Sequence, residues 1–176
     1  MGVTRPLRLV SSGPDETRKI AAAVADALRP GDLVALTGEL GAGKTCFVQG
    51  AASALGVTDR VTSPSFLLRR EYDGAVPVLH LDVYRLETLQ EVVDLGYEDV
   101  VGGRWVTFIE WGDAMSTLLP ADHLEVEFRL PDPAAQPGPG EDDLAEPRGI
   151  VVRPHGADWA RRLAVLAADL LPWQDA

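Results

Sequence analysis

Cysteine is nearly missing. Cys46 stands alone among 176 residues, which excludes an internal disulfide and suits a reducing compartment. Histidine is scarce too: His80, His123 and His155 show no zinc spacing with one another or with a cysteine cluster. No hydrophobic run is long enough to cross a membrane. The first residues lack the apolar stretch of a secretion signal, and Pro6 spoils a myristoylation match. A cytoplasmic chain without membrane association is expected. Lysine occurs only as Lys19 and Lys44, and the 16 basic residues are outweighed by 27 acidic ones for a net charge of −11. Such a chain is poorly suited to grip a nucleic-acid backbone by itself, although it could work beside one if a partner did the gripping. Ordinary solubility accounts for most of the charge. What remains is 46% apolar with a mean hydropathy of +0.02, enough for one domain with a proper core across residues 1–176.

One of the two lysines lies in the most informative stretch. Gly38-Glu39-Leu40-Gly41-Ala42-Gly43-Lys44-Thr45 fits G-x-x-x-x-G-K-[ST], a phosphate-binding loop. Its glycines allow successive N–H groups to turn inward as an anion nest, and the following helix adds its positive dipole end. Lys44 would reach the β- and γ-phosphates of a nucleoside triphosphate, and the Thr45 hydroxyl would hold Mg²⁺. The flanks agree. Residues 33–37 read as a buried strand; Phe47, Val48, Ala51, Ala52 and Leu55 form a helical face that Gly56 ends.

Residues 7–10 read as a strand and 14–28 as a helix, with Ser12 and Asp15 resembling a capping box. Ser12 and Thr17 could touch an adenosine; the other reading is a cap and a surface hydroxyl. Thr62-Ser63-Pro64-Ser65 could close on the γ-phosphate as a switch, or be a plain turn. Residues 66–72 and 76–81, joined by Asp73-Gly74, predict a hairpin, which would put an antiparallel pair into an otherwise parallel sheet. A short helix is expected over 88–95, a buried strand over 104–110, a helical turn over 114–119, a half-buried strand over 123–130, a strand at 150–152, and a closing helix with Trp159, Leu163, Leu166 and Leu170. Residues 131–148, rich in proline and acids, predict a mobile loop within the domain.

A phosphate-loop enzyme needs a carboxylate at the end of a neighbouring buried strand to order Mg²⁺. Asp82 and Glu110 both qualify. Glu110 is assigned to the metal with Thr45; Asp82 is a second metal contact or the group that orients the attacking water. Trp111 could report on nucleotide or be a packed core indole. Cys46 reads as a small buried residue, not a nucleophile. Arg85 is an internal candidate for an arginine that finishes the catalytic site, with a structural salt bridge as the expected role.

The loop at 38–45, Val61-Thr62-Ser63-Pro64-Ser65-Phe66, His80-Leu81-Asp82-Val83-Tyr84-Arg85, Leu95-Gly96-Tyr97 and Ile109-Glu110-Trp111, in that order, resemble the TsaE family (formerly YjeE). These are the bacterial ATPases of tRNA threonylcarbamoyladenosine synthesis. The resemblance covers residues 7 to about 130. It implies an α/β, P-loop NTPase-like three-layer fold with a mixed sheet, and Mg²⁺-dependent ATP hydrolysis with low intrinsic turnover. It implies TsaB and TsaD as partners, the pair that transfers threonylcarbamoyl to adenosine 37 of tRNAs reading ANN codons, so that tRNA is met only through them. By the same resemblance Thr45 and Glu110 would be magnesium ligands, residues 38–45 would hold the triphosphate, residues 61–66 would be the switch, and Asp82 would be the functional acid of its motif. The family usually has threonine where this chain has Ser65, and the hydroxyl is kept. Two other readings stay open: a small-molecule or nucleotide kinase, and a nucleotide-gated assembly module with negligible hydrolysis. No Asn/Thr-Lys-x-Asp element supports a GTPase.

Overall fold

The computed structural model describes residues 5–111, 116–131 and 147–175. Seven strands form one sheet: β1 Leu7–Ser11, β2 Leu33–Thr37, β3 Arg69–Tyr72, β4 Val78–Asp82, β5 Val106–Glu110, β6 His123–Arg129 and β7 Arg148–His155. Their order is β1-β7-β6-β2-β5-β4-β3. The four middle strands, β6, β2, β5 and β4, run parallel, and both flanks are antiparallel. The helices are α1 Pro14–Ala25, α2 Lys44–Ala54, α3 Leu89–Asp94, α4 Tyr97–Val101 and α5 Ala157–Leu166.

The middle strands read as nearly continuous apolar runs because both of their faces are covered. Side chains alternate along β2. Val34 and Leu36 join the core under α1, α2 and α5, whereas Leu33 and Ala35 join the opposite core with Val92 of α3 and Val100 of α4. The result is three layers, with the expected mixed sheet. The hairpin β3–β4 supplies one antiparallel edge; the β7–β1 pairing supplies a second that sequence had not signalled.

Helix α1 buries Ile20, Ala21, Val24 and Ala25 as a helical stripe and crosses α2 at Gly50. A Cβ on Gly50 would run into the Arg18 carbonyl oxygen and lie 2.6 Å from the Arg18 Cα. Backbone cannot yield as a side-chain tip can. Gly50→Ala is therefore expected to cost about 1–3 kcal/mol of stability, seen as a lower midpoint in denaturant unfolding.

Several expected boundaries move. The predicted strand over 66–72 begins only at Arg69, because the Leu68 N–H bonds the Pro64 carbonyl at 2.5 Å and closes a turn first, with Leu68 left-handed at φ 62°. The hairpin connection runs over 73–77, since Tyr72 faces Val78. Gly74 packs there against the backbone of Leu55 and Val57. The expected Ser12/Asp15 capping box is absent. Gly13 is the N-cap with no side-chain bond, and the Ser12 N–H goes instead to the Glu16 carboxylate. A capping box does form at Thr88 and Glu91. Helix α1 stops at Ala25, although Leu28 is still buried, and the closing helix stops at Leu166, with Leu170 buried in the turn beyond it. Strand β7 is longer than residues 150–152 because it pairs on both sides, with β1 and β6. Residues 116–118 are a turn and Leu119 a bend; residues 114–115 of the helix expected at 114–119, and nearly all of the expected loop over 131–148, lie outside the described residues.

Candidate functional site

Parallel strands β2, β5 and β4 end together, and every residue of the motif loop and both candidate acids sit at that edge. Asp82 and Glu110 are register partners in the β4–β5 ladder, so their side chains leave the sheet on the same face. Both are buried, each at 4% exposure.

The loop that follows β2 is shaped by its glycines. Gly38, Gly41 and Gly43 all have positive φ, at 131°, 77° and 115°. At Gly38 a Cβ would lie 2.6 Å from the Phe128 carbonyl oxygen at the end of β6, and Gly43 is the left-handed N-cap of α2. Leu40 and Glu39 are exposed at the tip, while Ala42 is buried. Lys44 is buried at 5% exposure. Its Nζ donates to the carbonyl oxygens of Gly38 at 2.7 Å and Glu39 at 2.8 Å and lies 4.0 Å from the centre of the Trp111 ring, a cation–π distance. Trp111 is itself left-handed, φ 65°, pinned by its N–H to the Leu36 carbonyl at 2.8 Å, and its ring meets Tyr84 at 4.7 Å. Trp111 also packs, partly buried, against the second core, so its ring lies between that core and the loop lysine.

Beneath the loop, the Thr45 hydroxyl donates to Glu110 Oε1 at 2.6 Å, and His80 Nε2 reaches the same oxygen at 2.9 Å. Burial pushes the Glu110 carboxyl upward. The His80 hydrogen bond and charge, the Thr45 hydroxyl and the Lys44 ammonium outweigh it and hold the group below the ordinary glutamate range. An ionised carboxylate only accepts, so His80 Nε2 carries the proton. His80 Nδ1 is buried without a hydrogen-bond partner. Asp82 serves the other loop. Its Oδ2 accepts from Ser65 at 3.2 Å and Ser63 at 3.5 Å, and its Oδ1 takes the Tyr84 N–H at 3.0 Å.

Glu110 thus anchors the first turn of α2, and Asp82 anchors the hydroxyl-rich segment 63–65. Phe66, next in the chain, is 87% exposed. Arg85, expected in a salt bridge, instead lies over the Phe66 ring at 5.4 Å. Ser12 is exposed at the start of α1, and Thr17 is buried with its hydroxyl 2.7 Å from that of Ser11; Pro14, between them, meets Cys46 in the first turn of α2. Cys46 is half-buried against the Pro14 carbonyl at 3.2 Å; burial raises its thiol pKa, which disfavours a nucleophile. Sequence reasoning missed His80 as the partner of Glu110. The signal was present: His80 stands two residues before Asp82 in one strand, so the two share a face of the sheet.

The set suits a magnesium–triphosphate. The Thr45 hydroxyl gives its hydrogen to Glu110 and so keeps lone pairs for a cation, Asp82 stands on the neighbouring rung of the ladder, and glycine amides with Lys44 could receive an anion. Among the described residues no cluster of three or more His, Cys, Asp or Glu could hold a metal ion by itself. Nor, among the described residues, is any helix long and apolar enough to cross a membrane.

The model of one protein family, Threonylcarbamoyl adenosine biosynthesis protein TsaE, matches residues 11–135. Proteins named tRNA threonylcarbamoyladenosine biosynthesis protein TsaE are similar to this chain. The one from Bacillus subtilis is 41% identical over 126 residues, covering 71% of this chain and 78% of its own. That of Treponema pallidum is 39% identical over 124 residues, 70% of this chain and 92% of its own. That of Streptomyces coelicolor is 38% identical over 148 residues, 81% of this chain and 93% of its own. Among solved structures, the crystal structure of Bacillus subtilis YdiB superposes with a TM-score of 0.76 at 29% identity, covering 96% of this chain and 99% of that one.

Proposed function

Because the chain belongs to the TsaE family of threonylcarbamoyl adenosine biosynthesis proteins, we propose that it is a Mg²⁺-dependent, cytoplasmic ATPase. It acts with TsaB and TsaD in the threonylcarbamoylation of adenosine 37 in tRNAs that read ANN codons. The observation that carries the reading is the 2.6 Å bond from Thr45 to Glu110 directly under the glycine loop. A hydroxyl and a buried carboxylate held together there are what a phosphate-bound cation would need.

The residues divide the work. Backbone amides of residues 41–45 and the Lys44 ammonium receive the phosphates, with Lys44 exchanging loop carbonyls for phosphate oxygens. Thr45 and Glu110 would hold Mg²⁺, whose contribution when bound is to neutralise charge on the phosphates. Glu110 keeps the Thr45 hydroxyl aimed, and His80 keeps Glu110 ionised and in place. Asp82 holds Ser63 and Ser65, so the segment 61–66 is positioned to respond to what occupies the loop. Asp82 is also the carboxylate placed to orient a water or make a second cation contact. A net charge of −11 fits a protein that leaves tRNA contact to its partners.

The test is phosphate release from ATP by the chain alone and with TsaB and TsaD. Slow release alone and stimulation in the mixture are expected. Phosphate moved onto a metabolite, indifferent to the partners, would mark a kinase, and binding without release in any mixture would mark a gate.

A further inference from the structure

The two candidate acids approach the loop from one side only, the side of β5 and β4. Strand order puts β6 and β7 on the other side, and there Arg148, the first residue of β7, reaches the loop. Its Nη1 lies 3.1 Å from where a Cβ on Gly43 would stand, and its charge is close enough to act on Cys46 in the first turn of α2. Among the described residues its Nε is buried without a hydrogen-bond partner. Among the described residues Arg148 also makes no ion pair, although nearby Arg129 and Arg153 are both paired with Glu127. Burying guanidinium nitrogen without a partner is costly. A second cation beside Lys44 makes sense on a loop that takes up an anion.

We infer that Arg148 binds the polyphosphate of the nucleotide from the face of the loop opposite Glu110 and Asp82, on the phosphates that ATP and ADP share. This rests on the nucleotide-binding part of the proposed function. The arginine comes from beyond residue 135, where the family match ends. The sidedness sets the specificity. Residues 63–65 with Asp82 lie on the β4 side, where a terminal phosphate and its cation are served, whereas Arg148 lies beside Gly43 and Cys46, at the start of the helix whose amides take the inner phosphates.

The experiment is calorimetric titration of wild type, Arg148→Met and Arg148→Lys with MgATP and with MgADP, at two salt concentrations. A charge-assisted bond to phosphate is stronger than a neutral one. Arg148→Met is therefore expected to weaken ATP and ADP alike, on the order of tenfold or more, and to flatten the salt dependence of ADP binding. Arg148→Lys should recover part of the affinity, keeping the charge without the planar fork. The flattened salt response separates a phosphate contact from a merely structural role, even where the variant is less stable. Unchanged affinities, an unchanged salt response, or a loss confined to ATP would each overturn the inference while leaving the proposed function standing. A wild-type chain that binds neither nucleotide would remove both.

Discussion

Lys44→Ala is expected to abolish measurable ATP binding and, with it, phosphate release and the chain's support of tRNA modification in cells. Lys44 is one of only two lysines, and it is buried against the loop's own carbonyl oxygens and the Trp111 ring. Loss of one or two charge-assisted bonds at about 1.5–3 kcal/mol each weakens affinity on the order of a hundredfold or more. The fold should survive. The lysine touches loop carbonyls and one ring, and neither core depends on it. Trp111 gives an independent readout: its emission should change when ATP draws the ammonium off the indole in the wild type, and stay flat in the variant. Retained affinity together with retained modification of the tRNA would defeat the reading at its base.

Glu110→Gln is expected to behave differently, with ATP affinity near wild type and turnover lower by about a hundredfold or more, the usual scale for removing a charge that organises a reacting site. The carboxamide can still accept from Thr45 and His80, so the packing persists, but the negative charge that would meet a cation is gone. Single-turnover phosphate release set against a binding isotherm checks it, and wild-type turnover would take Glu110 out of the site. Asp82→Ala should also stop hydrolysis, since Ser63 and Ser65 lose their acceptor. Glu110 has a pH signature as well. Its pKa in the fold is below the ordinary glutamate value. Its contribution to stability is thus complete above the unfolded-state value of about 4.3 and disappears as pH falls through the lower folded value. Wild type and Glu110→Gln should differ in midpoint near neutral pH and converge in acid. Between pH 6 and 8 Glu110 should leave no inflection in turnover.

Local chemistry made much of this legible. The glycine spacing, the buried strand before it and the helical face after it are properties of neighbouring residues, and the loop, β2 and α2 stand where sequence put them. The two strand-end acids were also readable, because an apolar run that stops at a carboxylate points it out of the core. Long-range relations were not readable. That Asp82 and Glu110 are rungs of one ladder depends on the register of β4 against β5. That Thr45 and His80 share one oxygen of Glu110 depends on a helix settling over that ladder. The turn at 64–68 defeated a β-propensity signal in Phe66 and Leu67, whose rings and branches face outward. Arg148 carried no motif, and only the return of β7 between β1 and β6 brings it to the loop.

That return also has a consequence during synthesis. Strand β1 is made before the other strands and finds its strand partner in β7, which is made more than a hundred residues later. A ribosome-bound chain ending near residue 135 already holds the loop, both acids and the strands that display them, yet β1 and β6 both present bare hydrogen-bonding edges. Such an intermediate is ready to pair with a neighbour, and the arrival of β7 between β1 and β6 closes both edges at once.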